Sequence, residues 1–250
     1  MRNNRHLLKK AFKILKRNYG CPGNDGISIK DIKRNYEHCE NIVWESLKKY
    51  NYSFEKQPKR TVITDYLGNK RVIFVYNVIE RWVQQFIKLQ IEPIINTTLS
   101  EYVYAYRRGK NDRDSYNYIL KNNPEFILRI DIKNYFESID REKLFVLLKG
   151  LGVKDCLLRM VHESFKHHGK GLPPGHVLSC ILSNLYLKSF DSNFPKNYTR
   201  YSDDMMFAFE NRLEILRTVW FVRKLFRAQG LFLNYKKTKI IYKPTLEKIL

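Results

Sequence analysis

Apolar residues recur along the chain at two spacings, and the spacing predicts the elements. Leu7, Leu8, Ala11, Phe12, Ile14 and Leu15 fall at helical intervals among lysines and arginines, which predicts an amphipathic basic helix. Residues 20–26, holding Pro22 and Asn24-Asp25-Gly26, predict a loop, and a second helix is expected over residues 41–50. β-Branched runs at residues 61–64 and 71–76 flank Leu67-Gly68-Asn69-Lys70, the pattern of a β-hairpin with Arg60, Lys70 and Arg71 at its ends or tip. Val78, Ile79, Trp82, Val83, Phe86, Ile87 and Leu89 define a helix that Pro93 is expected to terminate. Arg107-Arg108-Gly109-Lys110 precedes a further helix. Residues 126–132 read as a strand, 141–149 and 154–166 as helices, 171–175 as a rigid Gly/Pro turn, and 177–190 as one largely buried helix. Residues 213–229 predict a helix closed by Gly230, followed by short strands at 231–234 and 239–242 around Lys236-Lys237-Thr238.

Two of these stretches carry candidate chemistry. Tyr201-Ser202-Asp203-Asp204 places adjacent carboxylates between Thr199-Arg200 and the apolar run 205–209. Neighbouring side chains on a strand point to opposite faces, so both carboxylates can serve one ligand only if a tight turn re-aims one of them. A lone Asp-Asp pair is more simply an acidic surface hairpin. The run 126–132 changes that balance, because it is a mostly apolar strand that delivers Asp131 to its end, where an unpartnered carboxylate is costly to desolvate. Three carboxylates on neighbouring strands suit two Mg²⁺ ions about 3.5–4 Å apart, as in two-metal phosphoryl transfer.

Composition agrees with that chemistry. The 250 residues, 44% hydrophobic, can bury a sizeable core as one domain or two closely joined subdomains, and 46 Lys+Arg against 25 Asp+Glu give a net charge of +21. This excess is interleaved with 17 Tyr and 15 Phe, which suits a protein that follows a phosphate backbone and stacks on bases. A solvated basic surface is the plainer reading of charge alone. Cys21, Cys39, Cys156 and Cys180 form no Cys-x-x-Cys pair and read as reduced, mostly buried thiols. His162, His167, His168 and His176 cluster loosely, but no cysteine stands at finger-like spacing from them. With no signal-peptide pattern and no run of membrane-spanning length, the expectation is a soluble, cytoplasmic protein.

In order and spacing, the motifs resemble those of the prokaryotic reverse transcriptases, the branch of group II intron, retron, diversity-generating and phage-defence enzymes. Gly23-Asn24-Asp25-Gly26 is similar to the N-terminal fingers block, and Gly68-Asn69-Lys70-Arg71 to the nucleotide-contacting fingers hairpin. Glu80-Arg81-Trp82-Val83-Gln84 with Glu92-Pro93 resembles the helix after it, and Tyr104-Ala105-Tyr106-Arg107-Arg108-Gly109 the aromatic-Arg-x-Gly block. Asp131-Ile132-Lys133-Asn134-Tyr135-Phe136 resembles the first palm motif, and Gly171-Leu172-Pro173-Pro174-Gly175 with Ser183-Asn184-Leu185-Tyr186-Leu187 the second. Tyr201-Ser202-Asp203-Asp204 resembles the third, and residues 230–238 the fourth.

The resemblance implies an α+β right-hand polymerase fold, with fingers over residues 1–125 and palm over 126–250, an antiparallel palm sheet backed by helices, and a helical insertion at about 154–175. It implies RNA-directed DNA synthesis with two Mg²⁺ ions, or Mn²⁺, held by Asp131, Asp203, Asp204 and the Ile132 carbonyl. Lys70 and Arg71 would hold the triphosphate, Lys237 would protonate the leaving pyrophosphate, Phe136 would lie under the sugar, and Pro174 and Gly175 would approach the nucleotide. Arg60, Arg107, Arg108, Lys110 and Tyr201 would contact the nucleic acid. Without the carboxylates, Lys70, Arg71 and Lys237 read as solvated surface cations and Phe136 as core. Partners implied are an RNA template, a DNA primer or product and dNTPs, with no membrane.

Two departures stand out. Pro174 occupies a position where these enzymes usually carry Gln, and Ser202 is a milder change. Only a short tail follows Lys237-Thr238, so the expectation is an absent or very short thumb, replaced by a structured RNA, a partner protein or self-association. A defence or accessory role is then expected over a complete intron-encoded protein. The alternatives are an RNA-directed RNA polymerase, against which Phe136 argues, and a non-catalytic RNA-binding splicing or assembly factor.

Overall fold

The structure, a computed structural model, describes residues 4–18, 20–48, 52–64, 68–121 and 123–242. The first elements are α1 (Arg5–Leu15), α2 (Ile29–Arg34), α3 (Tyr36–Lys48), β1 (Lys59–Thr64), β2 (Lys70–Val75), α4 (Val78–Asn96) and α5 (Asp112–Lys121). Then follow β3 (Phe126–Asp131), α6 (Tyr135–Ser138), α7 (Arg141–Gly150), α8 (Asp155–Glu163), α9 (Ser179–Tyr186) and α10 (Lys188–Asp191). The last are β4 (Tyr198–Tyr201), β5 (Asp204–Phe209), α11 (Arg212–Gln229) and β6 (Lys239–Tyr242). They form two compact units, Met1–Ile95 with Arg141–Ser179, and Asn96–Asp140 with Cys180–Leu250. The expected boundary at 125/126 therefore falls inside the second unit, because α5 packs on β4 and β5, the same sheet that β3 completes. The helical stretch 154–175 lies wholly within the first.

In the first unit, α1 buries Leu8, Ala11, Phe12 and Leu15, a stripe at i, i+3, i+4 and i+7. Phe12 packs on Tyr36 and Trp82, and the Trp82 indole N–H donates to the Leu8 carbonyl at 2.8 Å. The helix expected from residue 41 begins earlier, at Tyr36, and is preceded by α2, which Ser28 and Asp31 open with a capping box. Its expected end at 49–50 lies outside the described residues. Pro93 does not end α4, which runs three residues further. An interior proline costs about 3 kcal/mol, but Ile91 and Ile95 on either side are fully buried, at about 1.5–3 kcal/mol each. β1 and β2 pair antiparallel from Lys59↔Val75 to Thr64↔Lys70, and of the expected turn Leu67 is outside the described residues.

In the second unit a four-stranded antiparallel sheet has the order β4-β5-β3-β6. One of its faces is covered by α5 over Ile127 and Ala208, which cluster with Ile119. The expected strand 126–132 stops at Asp131, and Ile132 forms only an isolated bridge with Leu233. Residues 231–234 accordingly are not a strand. They run beside the end of β3 on two backbone bonds, Lys133 N–H to Phe232 O and Asn234 N–H to Asp131 O. The single helix expected over 177–190 breaks at Leu187 (φ −90°, ψ 6°), and α10 restarts there with Asp191 against Arg200.

None of the four cysteines is in a disulfide, and none is fully buried: Cys21 is exposed and the others are half-buried. No described helix is long and apolar enough to cross a membrane.

Candidate active site

β3 and β5 pair in a register that sets Asp131 directly opposite Asp204. Facing residues of an antiparallel pair share a sheet face, and like charges there repel. Two neighbouring cations offset this. Arg129, two residues before Asp131 and so on the same face, reaches diagonally to hold both oxygens of Asp204 through its guanidinium. Lys237 Nζ stands 3.1 Å from Asp131 Oδ2, while the Asn234 side-chain amide donates to Asp131 Oδ1 at 2.8 Å. Asn234 also organises the loop around Lys237, since its carbonyl accepts from the Lys237 and Thr238 amides. An open pocket of about 350 Å³ in front is lined by Arg129, Asp131, Asp204, Lys236, Lys237 and Lys239.

Asp203 stands on the turn. Tyr201 pairs with Asp204, so Ser202 and Asp203 form a two-residue connection, and Ser202 takes the left-handed conformation (φ 62°). The turn takes Asp203 out of the strand alternation, the condition for two adjacent carboxylates to serve one ligand. Desolvation, and then the negative charge of Asp131, hold the Asp203 carboxyl above its ordinary range. The Ile132 carbonyl belongs to the same corner. Asp131 C=O and Lys133 N–H both bond to the 232–234 segment, so strand alternation turns Ile132 C=O toward the β5 side.

Among the described residues, no three Asp, Glu, His or Cys side chains stand close enough together to hold one metal ion. Asp204 is drawn onto Arg129, and Asp131 onto Asn234 and Lys237. The donor chemistry nevertheless fits a hard divalent cation: the acids are all carboxylates, and Asp203, which makes no ion pair among the described residues, carries a charge repulsion that a cation relieves.

Of the other sequence-predicted residues, Phe136 lies half-buried on α6, edge-on to Tyr135 at 5.6 Å. Tyr201 is half-buried at the end of β4. Arg107 donates to the Ser100 and Val103 carbonyls at 2.7 and 3.1 Å. Lys110 bonds the Glu101 carbonyl and lies over the Tyr104 ring, 4.6 Å from its centre, whereas Arg108 is exposed. In the first unit Lys70 and Arg71 are exposed at the start of β2, and Arg60 is exposed opposite Phe74 toward the hairpin base. The Pro174 carbonyl accepts from Phe74 N–H at 2.9 Å, and Gly175 (φ 97°) leaves no space for a Cβ, which would fall 2.3 Å from the Phe74 carbonyl oxygen.

Sequence reading missed Arg129, Asn234 and Asp191. For Arg129 the signal was present, as a cation two positions before Asp131 in an otherwise apolar strand. For Asn234 and Asp191 the partner becomes visible only through the fold.

The profile of the family described as reverse transcriptase (RNA-dependent DNA polymerase) matches residues 55–249. The chain is 29% identical over 122 residues to the retron Ec86 reverse transcriptase of Escherichia coli, covering 46% of this chain and 38% of that protein. It is 24% identical over 208 residues to an uncharacterized 91 kDa protein in the cob intron of Schizosaccharomyces pombe, covering 75% of this chain and 24% of that protein. The chain thus spans well under half the length of these curated relatives. Its fold is similar to that of a telomerase from Candida tropicalis solved with a TWJ fragment of telomeric RNA, with a TM-score of 0.54 at 16% identity over 80% of this chain and 44% of the other. That likeness, with the antiparallel sheet and its helices, makes the fold class the α+β right-hand polymerase fold. With a match that runs from β1 to beyond β6 and takes in every carboxylate at the strand ends, the chain belongs to the reverse transcriptase (RNA-dependent DNA polymerase) family, in its prokaryotic type.

Proposed function

We propose that the chain is an RNA-directed DNA polymerase whose reaction centre is the corner formed by Asp131, Asp203 and Asp204. The observation that carries this is the register that faces Asp131 with Asp204 and sets Asp203 on the adjoining turn. Asp131, Asp203, Asp204 and the Ile132 carbonyl would hold two Mg²⁺ or Mn²⁺ ions, which when bound acidify the primer hydroxyl and stabilise the departing charge. Asn234 keeps one Asp131 oxygen engaged and leaves Oδ2 facing Lys237. Lys237 would give a proton to the leaving pyrophosphate, a role supported by its side chain being 62% exposed beside Asp131. Lys70 and Arg71 hold the triphosphate, Phe136 excludes a 2′-hydroxyl, and Pro174 and Gly175 bring backbone to the nucleotide. The +21 charge supports template and primer binding through phosphates. The proposal places the protein in the cytoplasm, in a retroelement or in phage defence.

One observation favours a second reading. Arg129 neutralises Asp204, and a palm that keeps this pairing would be a non-catalytic RNA-binding factor. Primer extension on an RNA template decides between them. The wild type should incorporate dNTPs, and Asp131→Asn and Asp203→Asn should each lower the rate by about 10³-fold or more without unfolding the chain. Wild-type activity in either variant would refute the assignment of the centre, and an inactive wild type would favour the second reading.

A further inference from the structure

Behind the Ser202-Asp203 turn lies a charged group that the proposed reaction does not use. Arg200 is 0% exposed, and all five of its N–H donors are engaged. Nε and Nη2 clasp Asp191 at 2.8 and 2.6 Å, Nη1 and Nη2 reach the side-chain and backbone oxygens of Asn184 at 3.0 and 3.3 Å, and Nη1 donates to the Ser202 carbonyl at 3.0 Å. Asp191 Oδ1 also accepts from the Tyr198 hydroxyl at 2.7 Å. Asn184 in turn donates to the Ala105 carbonyl at 2.8 Å.

A buried ion pair is weak evidence of a stabilising role, because well-packed apolar residues of similar volume often serve as well or better. What apolar residues cannot reproduce is the bond to Ser202 O. That carbonyl belongs to the peptide between Ser202 and Asp203, so fixing it fixes the plane from which Asp203 departs. Ser202 needs such a hold, because its φ of 62° is disfavoured for a residue with a Cβ.

We propose that Arg200 is the positioning residue of the catalytic turn: braced by Asp191 and Asn184, it locks the Ser202–Asp203 peptide plane and so aims the Asp203 carboxylate. This rests on the reading of Asp203 as part of the reaction centre. Arg200 touches no reactant, and its effect passes through the backbone.

The test separates positioning from stability. The paired variant Arg200→Met/Asp191→Leu removes both charges and keeps apolar bulk, while Arg200→Lys keeps the charge but cannot span Asp191 and Ser202 O together. Each is read by thermal unfolding, by Mn²⁺ titration followed by electron paramagnetic resonance, and by single-nucleotide primer extension. The Mn²⁺ site scored is the one that Asp203→Asn removes. The paired variant should melt close to the wild type yet bind Mn²⁺ about 10-fold more weakly and show kcat down about 100-fold with KM for dNTP little changed, the scale of a misplaced reacting group. Arg200→Lys should lose Mn²⁺ affinity and kcat in the same direction. A paired variant with wild-type melting, Mn²⁺ affinity and kcat would overturn the proposal, as would Arg200→Lys with wild-type Mn²⁺ affinity and kcat if the paired variant fails to fold. A wild type that binds Mn²⁺ at Asp203 but extends no primer refutes the polymerase reading alone, and the Mn²⁺ titrations still judge Arg200. A wild type with no such Mn²⁺ site overturns both.

Discussion

Replacing Arg129 by Met leaves Asp131 and Asp204 face to face, with Lys237 on Asp131 and Lys236 and Lys239 lining the same pocket but no cation clasping Asp204. Directly opposed side chains have Cβ atoms about 5 Å apart. Two unit charges at that separation repel by about 3 kcal/mol at an effective dielectric constant of about 20. The side chains of Arg129 and Asp204 are 45% and 29% exposed, so screening reduces the net effect to about 1–2 kcal/mol. For a chain of this size that is a fall in Tm of roughly 2–8 °C at low ionic strength. The informative measurement is the response to Mg²⁺. On the proposed function, a cation at Asp204 would compete with Arg129 in the wild type, whereas in Arg129→Met the carboxylate loses that partner. Mg²⁺ should therefore raise the variant's Tm by several degrees more than the wild type's, by ligand linkage. Melting followed by circular dichroism in 20 mM buffer, with and without ~10 mM MgCl₂, reads both quantities. Equal Mg²⁺ increments in the two proteins would refute the idea that Asp204 is a cation ligand held in reserve by Arg129.

Phe136→Ala should raise rNTP incorporation far more than it lowers dNTP incorporation, measured by single-nucleotide addition on one primer–template; an unchanged preference would make Phe136 a packing residue only. Glu80 is buried, and burial pushes its carboxyl up to about 7, so the folded state holds a proton that the unfolded state releases near pH 4.5. Its contribution to stability therefore falls as pH rises from about 4.5 to 7, by up to about 3 kcal/mol, and denaturant titrations of Glu80→Gln should lack that decline. His176, pushed by burial down to about 3, works oppositely: the folded state resists its protonation, so stability is lost as pH falls below about 6.5, and His176→Phe should flatten that acid limb. Gly175→Ala should cost roughly 2 kcal/mol or more through its positive φ and the clash with Phe74 O, seen as a lower denaturation midpoint; an unaffected midpoint would mean the 171–175 turn is not docked on β2.

The strand end and the acidic turn could be read from the sequence because their signals are local. An apolar run ending in Asp131 and a pair of acids before Met205–Phe209 each need only the period-2 rule and turn chemistry. The electrostatics of the corner were not readable, since Arg129 meets Asp204 across 75 residues and Asn234 meets Asp131 across 103. Such partners follow from strand register, which no single segment contains. Pro93 misled because its local cost is outweighed by burial of Ile91 and Ile95, a tertiary quantity. The break at Leu187 was hidden as well: α10, which restarts there, carries Asp191, whose partner Arg200 lies on another element. The division of the chain into units was obscured by its discontinuity: residues 141–179 return to the first unit with no Gly/Ser-rich linker to mark either crossing.

The four-stranded sheet has unlike edges. Outside β4, Tyr104 N–H donates to Arg200 O at 2.8 Å and Arg200 N–H to Tyr102 O at 2.9 Å, with a parallel bridge between Val103 and Arg200. A foreign strand finds no free backbone there at Arg200. At the other edge, among the described residues, β6 pairs only with β3, and it shows Ile240 and Tyr242 about half exposed behind a single lysine, Lys239. Among the described residues, the edge open to strand addition, whether by a productive partner or by aggregation, is therefore that of β6. At that side the incoming chain would lie beside β6 and its Lys239.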